Sequence, residues 1–317
     1  MKLIVSVSIK DQKFLNDKTF HIRGEVRILN IGELIREIDR IPIKESNSVV
    51  MKGHHKLNGG VIIGSKYLCT TYGQVLTVDL NTRKQETVLS EPFFNDLHHV
   101  SYANDEYAVV NTGLEQLLIY DCRFNLKRIY NLLDDINVNR TFDLSLDYRH
   151  VWSTKPHYVH PNYCFYYDGE WWVTRFLQKD AIGIDSKRRI SLESYGNPHD
   201  GLVMDDCVYF TTTNGWVVKY NFKTRTYDSW NLNELVGRDQ LGWCRGLAVI
   251  GDKAYVCFTK FRSSRAKEMV KWIIDASIRE ALPSRILEVD LKRNKITREI
   301  SFQEKDLTLF SLTYISN

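Results

Sequence analysis

No two of the six cysteines in this chain stand in a Cys-x-x-Cys spacing. Cys69, Cys122, Cys164, Cys207, Cys244 and Cys257 are scattered, mostly inside strand-like runs such as "YLCTTY" and "AYVCFT". That distribution argues against a zinc knuckle or a disulfide frame and reads as small buried hydrophobes in a reducing compartment. Long apolar runs are missing too, and nothing approaches the ~18–20 continuous apolar residues of a membrane span. The opening "MKLIVSVSIKDQKF" has a short, alternating apolar run with no small-residue cleavage site behind it. It reads as a strand and not as a signal peptide, so the expected location is the cytoplasm, with no membrane association.

Dense basic runs are absent, and the net charge is only +4. No nucleic-acid partner is therefore expected. GxGxxG, Walker A, HExxH and GxSxG motifs are all lacking, which removes the sequence signatures of dinucleotide, P-loop, zincin and α/β-hydrolase sites.

What the chain does have is aromatic residues, 12% of its 317 positions with 17 Tyr and 7 Trp, and a repeat. Aromatic side chains favour strands. "GLVMDDCVYFTTTNGWVVKYN" is an apolar strand, a turn, a second strand, a turn and a third strand. The same order occurs in "GGVIIGSKYLCTTYGQVLTVDL", "HHVSYANDEYAVVNTGLEQLLIYD", "YCFYYDGEWWVTRFLQKDAIGID" and "RGLAVIGDKAYVCFTKF". Each first turn is of the Gly-Ser, Asn-Asp, Asp-Gly, Asp-Asp or Gly-Asp type, a hairpin signal. Polar fourth strands follow, as in "NTRKQETVL" and "FKTRTYDSW". Four antiparallel strands at a period of roughly 40 residues is the pattern of β-propeller blades.

"LFSLTYISN" at the C-terminus reads as an inner strand without a successor, whereas "KLIVSVSI" and "FHIRGEVRIL" are strands without an inner partner. Joining them gives a sixth, composite blade. The expectation is thus an all-β chain, one six-bladed propeller domain over residues 1–317, closed by pairing of its terminal strands. Two insertions are expected. Residues 132–155 would form a lid or an extra strand pair. Residues 263–282, "SSRAKEMVKWIIDASIREAL", carry apolar residues at the spacing of an amphipathic helix ended by Pro283.

Aligning the units on their first turn puts Asn58, His98, Asn162, His199 and Arg245 in one position, with Phe310 as the approximate sixth. Seven of the nine histidines lie in these approaches to the inner strands: His54, His55, His98, His99, His157, His160 and His199. Residues ~40–100 apart thereby converge on one axis. A second set, from the loops after the second strands, is expected at the same mouth: Asn111, Thr112, Glu115, Arg175, Asn214, Lys260 and Arg262.

Two chemistries are open for this cluster. In one, a divalent metal is held by some of His98, His99, His160 and His199 with Glu115 or Asp200, since neutral imidazole suits transition metals. In the other, His199, His98 or His160 is a general acid/base without metal. Arg175, Arg245 and Arg262 fit either as anion clamps, with Asn111 and Asn58 beside the substrate. The expected ligand is a small anionic molecule and the chain a monomer.

The whole chain resembles the six-bladed propeller superfamily of the gluconolactonase, strictosidine-synthase-like and NHL-type groups. "CRGLAVIGDKAYVCFTKFRSSR" and "HPNYCFYYDGEWWVTRF" are similar to a set of bacterial propellers of unknown function. The gluconolactonase resemblance implies an axial divalent metal on a Glu, two Asn and an Asp, roles onto which Asn58, Asn162, Asn111 and Asp200 can be cast. No Glu stands at the matching position of the first blade, and the surplus of His is a further departure, which favours a softer metal or none. "HHV", "HPN" and "HDG" resemble segments of arylsulfotransferase propellers, whose His takes up a sulfuryl group. The expected function is a metal-assisted hydrolase or lyase on a small anionic, sugar-derived substrate. The alternative is a non-catalytic scaffold binding a protein or peptide.

Overall fold

The computed structural model describes residues 1–11, 20–45, 49–143, 145–260, 282–304 and 306–315. Short apolar runs separated by two-residue turns fold into antiparallel hairpins, because the turn residues accept the left-handed backbone such turns need. Asn104 and Asp105 both have positive φ, as do Asp168 and Gly169, and Gly64, Asp205 and Gly251 do the same at their own turns. Each unit closes as a four-stranded sheet, and six such sheets form the molecule.

The innermost strands, in ring order, are Leu307–Ile315, Gly60–Ile63, Leu97–Ala103, Pro161–Tyr167, Leu202–Met204 and Trp243–Ile250, heading blades 1 to 6. Each contacts the next, and the last contacts the first. Blade 1 is the composite one: Leu307–Ile315 pairs antiparallel with Lys2–Lys10, followed outward by His21–Ile31 and Ile35–Pro42. The ring therefore closes on backbone pairing between strands from the two ends of the described chain.

Alternation along each strand supplies the packing between blades. Trp171 and Val173 face blade 3, whereas Trp172 between them faces blade 5. Tyr67 and Cys69 pack on blade 1 and Leu68 on blade 3. Six apolar clusters result, one in each gap between neighbouring blades. All six cysteines are free.

The outer strands are polar, yet one carboxylate is buried against them. Glu288 accepts from Lys253 Nζ (2.7 Å), Thr297 Oγ1 (2.7 Å) and Arg298 Nε (2.6 Å). Burial alone would raise its pKa, but these donors outweigh it and hold the carboxyl down at about 2, against an ordinary 4.5. A depressed carboxyl stabilises the fold above its unfolded pKa and loses that contribution as pH falls through the folded value. Acid unfolding should therefore steepen between pH 4.5 and about 2, and Glu288→Gln should flatten that limb. Parallel acid limbs in the two proteins would contradict this.

The connection between blades 3 and 4 holds the first of the two expected insertions. Among its described residues there is no extra strand pair, only two single 3-10 turns, Asp134–Ile136 and Tyr148–His150. It runs as a strap over the ends of blades 2 and 3. Tyr148 N–H donates to Pro92 O (2.6 Å), Tyr72 OH to Val151 O (2.7 Å) and Asn95 Nδ2 to Tyr148 O (2.7 Å). The helix expected over 263–282 lies outside the described residues, except for Leu282. No helix among the described residues is long and apolar enough to cross a membrane.

Candidate active site

Five of the six inner strands or their approaches share one small depression. Its walls are Asn58–Gly59, His98–His99, Asn162–Tyr163, His199–Asp200 and Phe310–Ser311, from blades 2, 3, 4, 5 and 1. Only the propeller axis lies against all five.

The two asparagines are held in equivalent ways. Asn58 Nδ2 donates to Leu97 O, the carbonyl just before His98. Asn162 Nδ2 donates to Pro198 O (3.1 Å), just before His199. A carbonyl can only accept, so each amide nitrogen is fixed toward it and each Oδ1 is turned away. Asn58 Oδ1, Asn162 Oδ1 and His199 Nδ1 are all buried without a hydrogen-bond partner within the protein. His199 Nδ1 lies 3.8 Å from Asp200 Oδ2, beyond hydrogen-bond reach. Each buried polar atom left unmet costs about 1–3 kcal/mol, and these three belong to residues that line one cavity.

The imidazoles are neutral. Burial, reinforced by the Lys56 ammonium and partly offset by Asp96, pushes His98 down to about 3. Burial and the neighbouring His199 push His99 to about 3. Burial likewise lowers His199 and, with His98 and His157 adding to it, His160. His98 Nδ1 donates to Asp96 O (2.8 Å), which leaves Nε2 unprotonated. The His98 ring centroid is 5.2 Å from that of His160 and 6.4 Å from that of His199. Two imidazoles on one tetrahedral metal at about 2.1 Å have centroids roughly 5.3 Å apart, a spacing that the His98–His160 pair matches and the His98–His199 pair exceeds.

Charge surrounds this group. Lys56 Nζ is hydrogen-bonded to Asp96 Oδ1. Burial, which would raise Asp96, is outweighed by Lys56 and by His98, and its carboxyl stays well below the usual range. The Lys56 ammonium and the Arg245 guanidinium lie 6.0 and 5.3 Å from the Phe310 ring centroid. Trp152 of the strap packs edge-on to His54 (4.2 Å), which also meets Tyr72 (4.0 Å).

Several residues expected at the mouth are used elsewhere. Arg175 is fully buried in a bidentate pair with Asp180, Nε to Oδ1 2.8 Å and Nη2 to Oδ2 2.7 Å. The two residues are cross-strand partners at a hairpin end, so the guanidinium is captured within its own blade. Glu115 Oε1 accepts from the backbone N–H groups of Tyr158, Val159 and His160, clamping the end of the strap. Asn111 accepts from Asn95 N–H and donates to Phe93 O. His99 also borders the depression, with its ring stacked on Tyr163 (3.6 Å) and its Nδ1 in hydrogen-bond contact with Cys164 Sγ (3.6 Å). Arg262 lies outside the described residues.

The stacked His99 leaves no room opposite it. A Cβ on Gly59 would sit 2.7 Å from His99 Cδ2 and 3.2 Å from His98 O. Gly59→Ala should cost about 1–3 kcal/mol in denaturant unfolding, and an unchanged midpoint would show that the ring is not packed there.

Lys56, Asp96 and Thr154 carry functional contacts that the repeat alignment does not single out. A signal existed for the first two, because Lys56 and Asp96 are 40 residues apart, one repeat. Residues one period apart occupy adjacent blades. The Thr154–His157 contact carries no comparable signal.

Among the described residues, no three His, Cys, Asp or Glu side chains come together as a ligand cluster. The carboxamide oxygens of Asn58 and Asn162 would therefore have to complete any set with His98, His199 and the adjacent His160.

No family profile and no curated protein sequence matches the chain. Solved structures do. A chain of a nidogen/laminin complex superposes with a TM-score of 0.60 at 8% identity, over 98% of this chain and 97% of that one. A protein of unknown function from Bacteroides caccae gives 0.59 at 10% identity, over 98% of each. Virginiamycin B lyase from Staphylococcus aureus gives 0.50 at 12% identity, over 79% of this chain and 71% of that one. The likeness is one of fold: a six-bladed β-propeller.

Proposed function

We propose that this chain is a metal-assisted hydrolase or lyase acting on a small anionic, sugar-derived substrate, working as a cytoplasmic monomer. The observation that carries this reading is the set of three buried polar atoms without partners, the acceptors Asn58 Oδ1 and Asn162 Oδ1 and the ring nitrogen His199 Nδ1, on residues that line one axial depression. Beside them His98 presents an unprotonated Nε2. All these donors are neutral. A divalent ion among them would keep its full charge, polarise a carbonyl or sulfuryl oxygen and lower the pKa of a bound water. That charge, with Lys56 and Arg245 near Phe310, favours an anion.

The acid/base reading without metal is weaker. A general base works best with a pKa near the operating pH, and His98 is held at about 3. One fold neighbour is named a lyase, which makes the reaction class compatible with the architecture without assigning it. The test is turnover of carboxylate-bearing lactones, esters and elimination substrates by metal-loaded protein. Metal-dependent product that is lost in His199→Ala supports the reading. A folded protein that binds no metal and turns over none of them would overturn it in favour of a scaffold that binds a protein or peptide.

A further inference from the structure

The strap ends in a run of hydrogen bonds whose directions are forced. Thr154 Oγ1 lies 2.5 Å from Gly113 O, and a carbonyl only accepts, so the hydroxyl proton goes there. Thr154 Oγ1 then meets His157 Nε2, 3.1 Å away, as an acceptor, which puts the His157 proton on Nε2. A neutral imidazole carries one N–H, so His157 Nδ1 is an acceptor. Across 2.7 Å it receives the proton of His160 Nδ1. His160 Nε2 is left bare. Burial lowers the pKa of both imidazoles.

We propose that Thr154 and His157 are positioning residues that lock His160 in its Nδ1–H tautomer, so that its Nε2 lone pair is offered as a metal ligand beside His98. The outcome matches that at His98, reached differently: there a backbone carbonyl, Asp96 O, takes the Nδ1 proton. Two imidazoles from adjacent blades, 5.2 Å apart, are thus both set with Nε2 as the acceptor. Two such lone pairs on adjacent blades suit a shared cation, and outer partners of this kind fix the orientation and basicity of ligating histidines. The role as a ligand rests on the metal reading above; the tautomer does not.

The strap's other contacts fit this role. Glu115 clamps the backbone N–H of His160 itself, 3.2 Å from Oε1. The tautomer and the position of the ring are therefore set by separate groups, so one can be changed without the other.

The experiment is long-range 1H–15N correlation on full-length, metal-free protein labelled at histidine, followed by Zn²⁺ titration. Wild type should show His160 with Nε2 unprotonated. Thr154→Ser keeps the hydroxyl and should keep the tautomer. Thr154→Val lets the His157 ring release its proton order, and His160 should become a mixture. His157→Gln retains an acceptor for His160 Nδ1 and should resemble wild type, while His157→Leu should convert His160 to the Nε2–H form. Zn²⁺ affinity should fall about 10- to 100-fold in Thr154→Val and His157→Leu, and hold in the two conservative variants. A wild-type His160 protonated on Nε2, or a tautomer unmoved by Thr154→Val, overturns the proposal. Tautomers that behave as described in a protein that binds no Zn²⁺ would instead sink the metal reading, and with it the ligand role, while the lock would stand.

Discussion

Asp180→Ala should destabilise the propeller by about 3–5 kcal/mol, the cost of stranding one member of a buried ion pair. Arg175 is fully buried, and Asp180 takes its Nε and Nη2. Without Asp180 the guanidinium keeps only Asp135, whose Oδ2 is 3.8 Å from Nη1. Arg175→Ala should cost less, because Asp180 retains Arg189 Nε at 2.7 Å. The double variant Arg175→Met, Asp180→Leu should recover most of the loss, since an apolar pair of similar volume avoids burying charge at all. Urea unfolding of the four proteins reads this directly. Arg175→Ala should leave binding of small anions unchanged, in contrast to an anion clamp. An Asp180→Ala protein within 1 kcal/mol of wild type would contradict the account of this pair.

The second large effect is at the axis. Asn162→Ala and Asn58→Ala should each lower divalent-metal affinity by at least about 100-fold, more than the 10- to 100-fold typical of outer partners. Both oxygens are aimed by their own amide nitrogens, which are tied to Pro198 O and Leu97 O. Truncation therefore removes a preset donor, not a mobile one. Asn162→Asp separates two effects. It keeps an oxygen and adds charge, but sets a carboxylate against Pro198 O, so the metal-free protein should be less stable and metal should restore it. His99→Phe is the control: its ring packs on Tyr163, and metal affinity should hold. Calorimetric titration checks all four. Equal affinities for wild type and Asn162→Ala would remove the carboxamides from the site.

The architecture was legible because a propeller writes itself as a repeat. Each unit carries its own hairpin turns and period-two faces, and the alignment that defines the blades also superposes Asn58, His98, Asn162 and His199. Those four line the axial depression. What failed was the second ring of residues. The loops after the second strands were read as facing the mouth, but Arg175 meets Asp180 five residues on, and Glu115 turns onto three amides more than 40 residues away. A charged residue near a hairpin end is captured first by whatever opposite partner its own register supplies. Sequence distance conceals the strap's contacts altogether, because a connection without repeat has no equivalent elsewhere in the chain to be aligned with.

The most direct test is the metal content of protein purified without a histidine tag or chelator, measured by mass spectrometry. The account predicts about one divalent transition metal per chain, lost in folded His199→Ala and Asn162→Ala. A wild-type protein that is folded, carries no metal and takes none up on titration would contradict it.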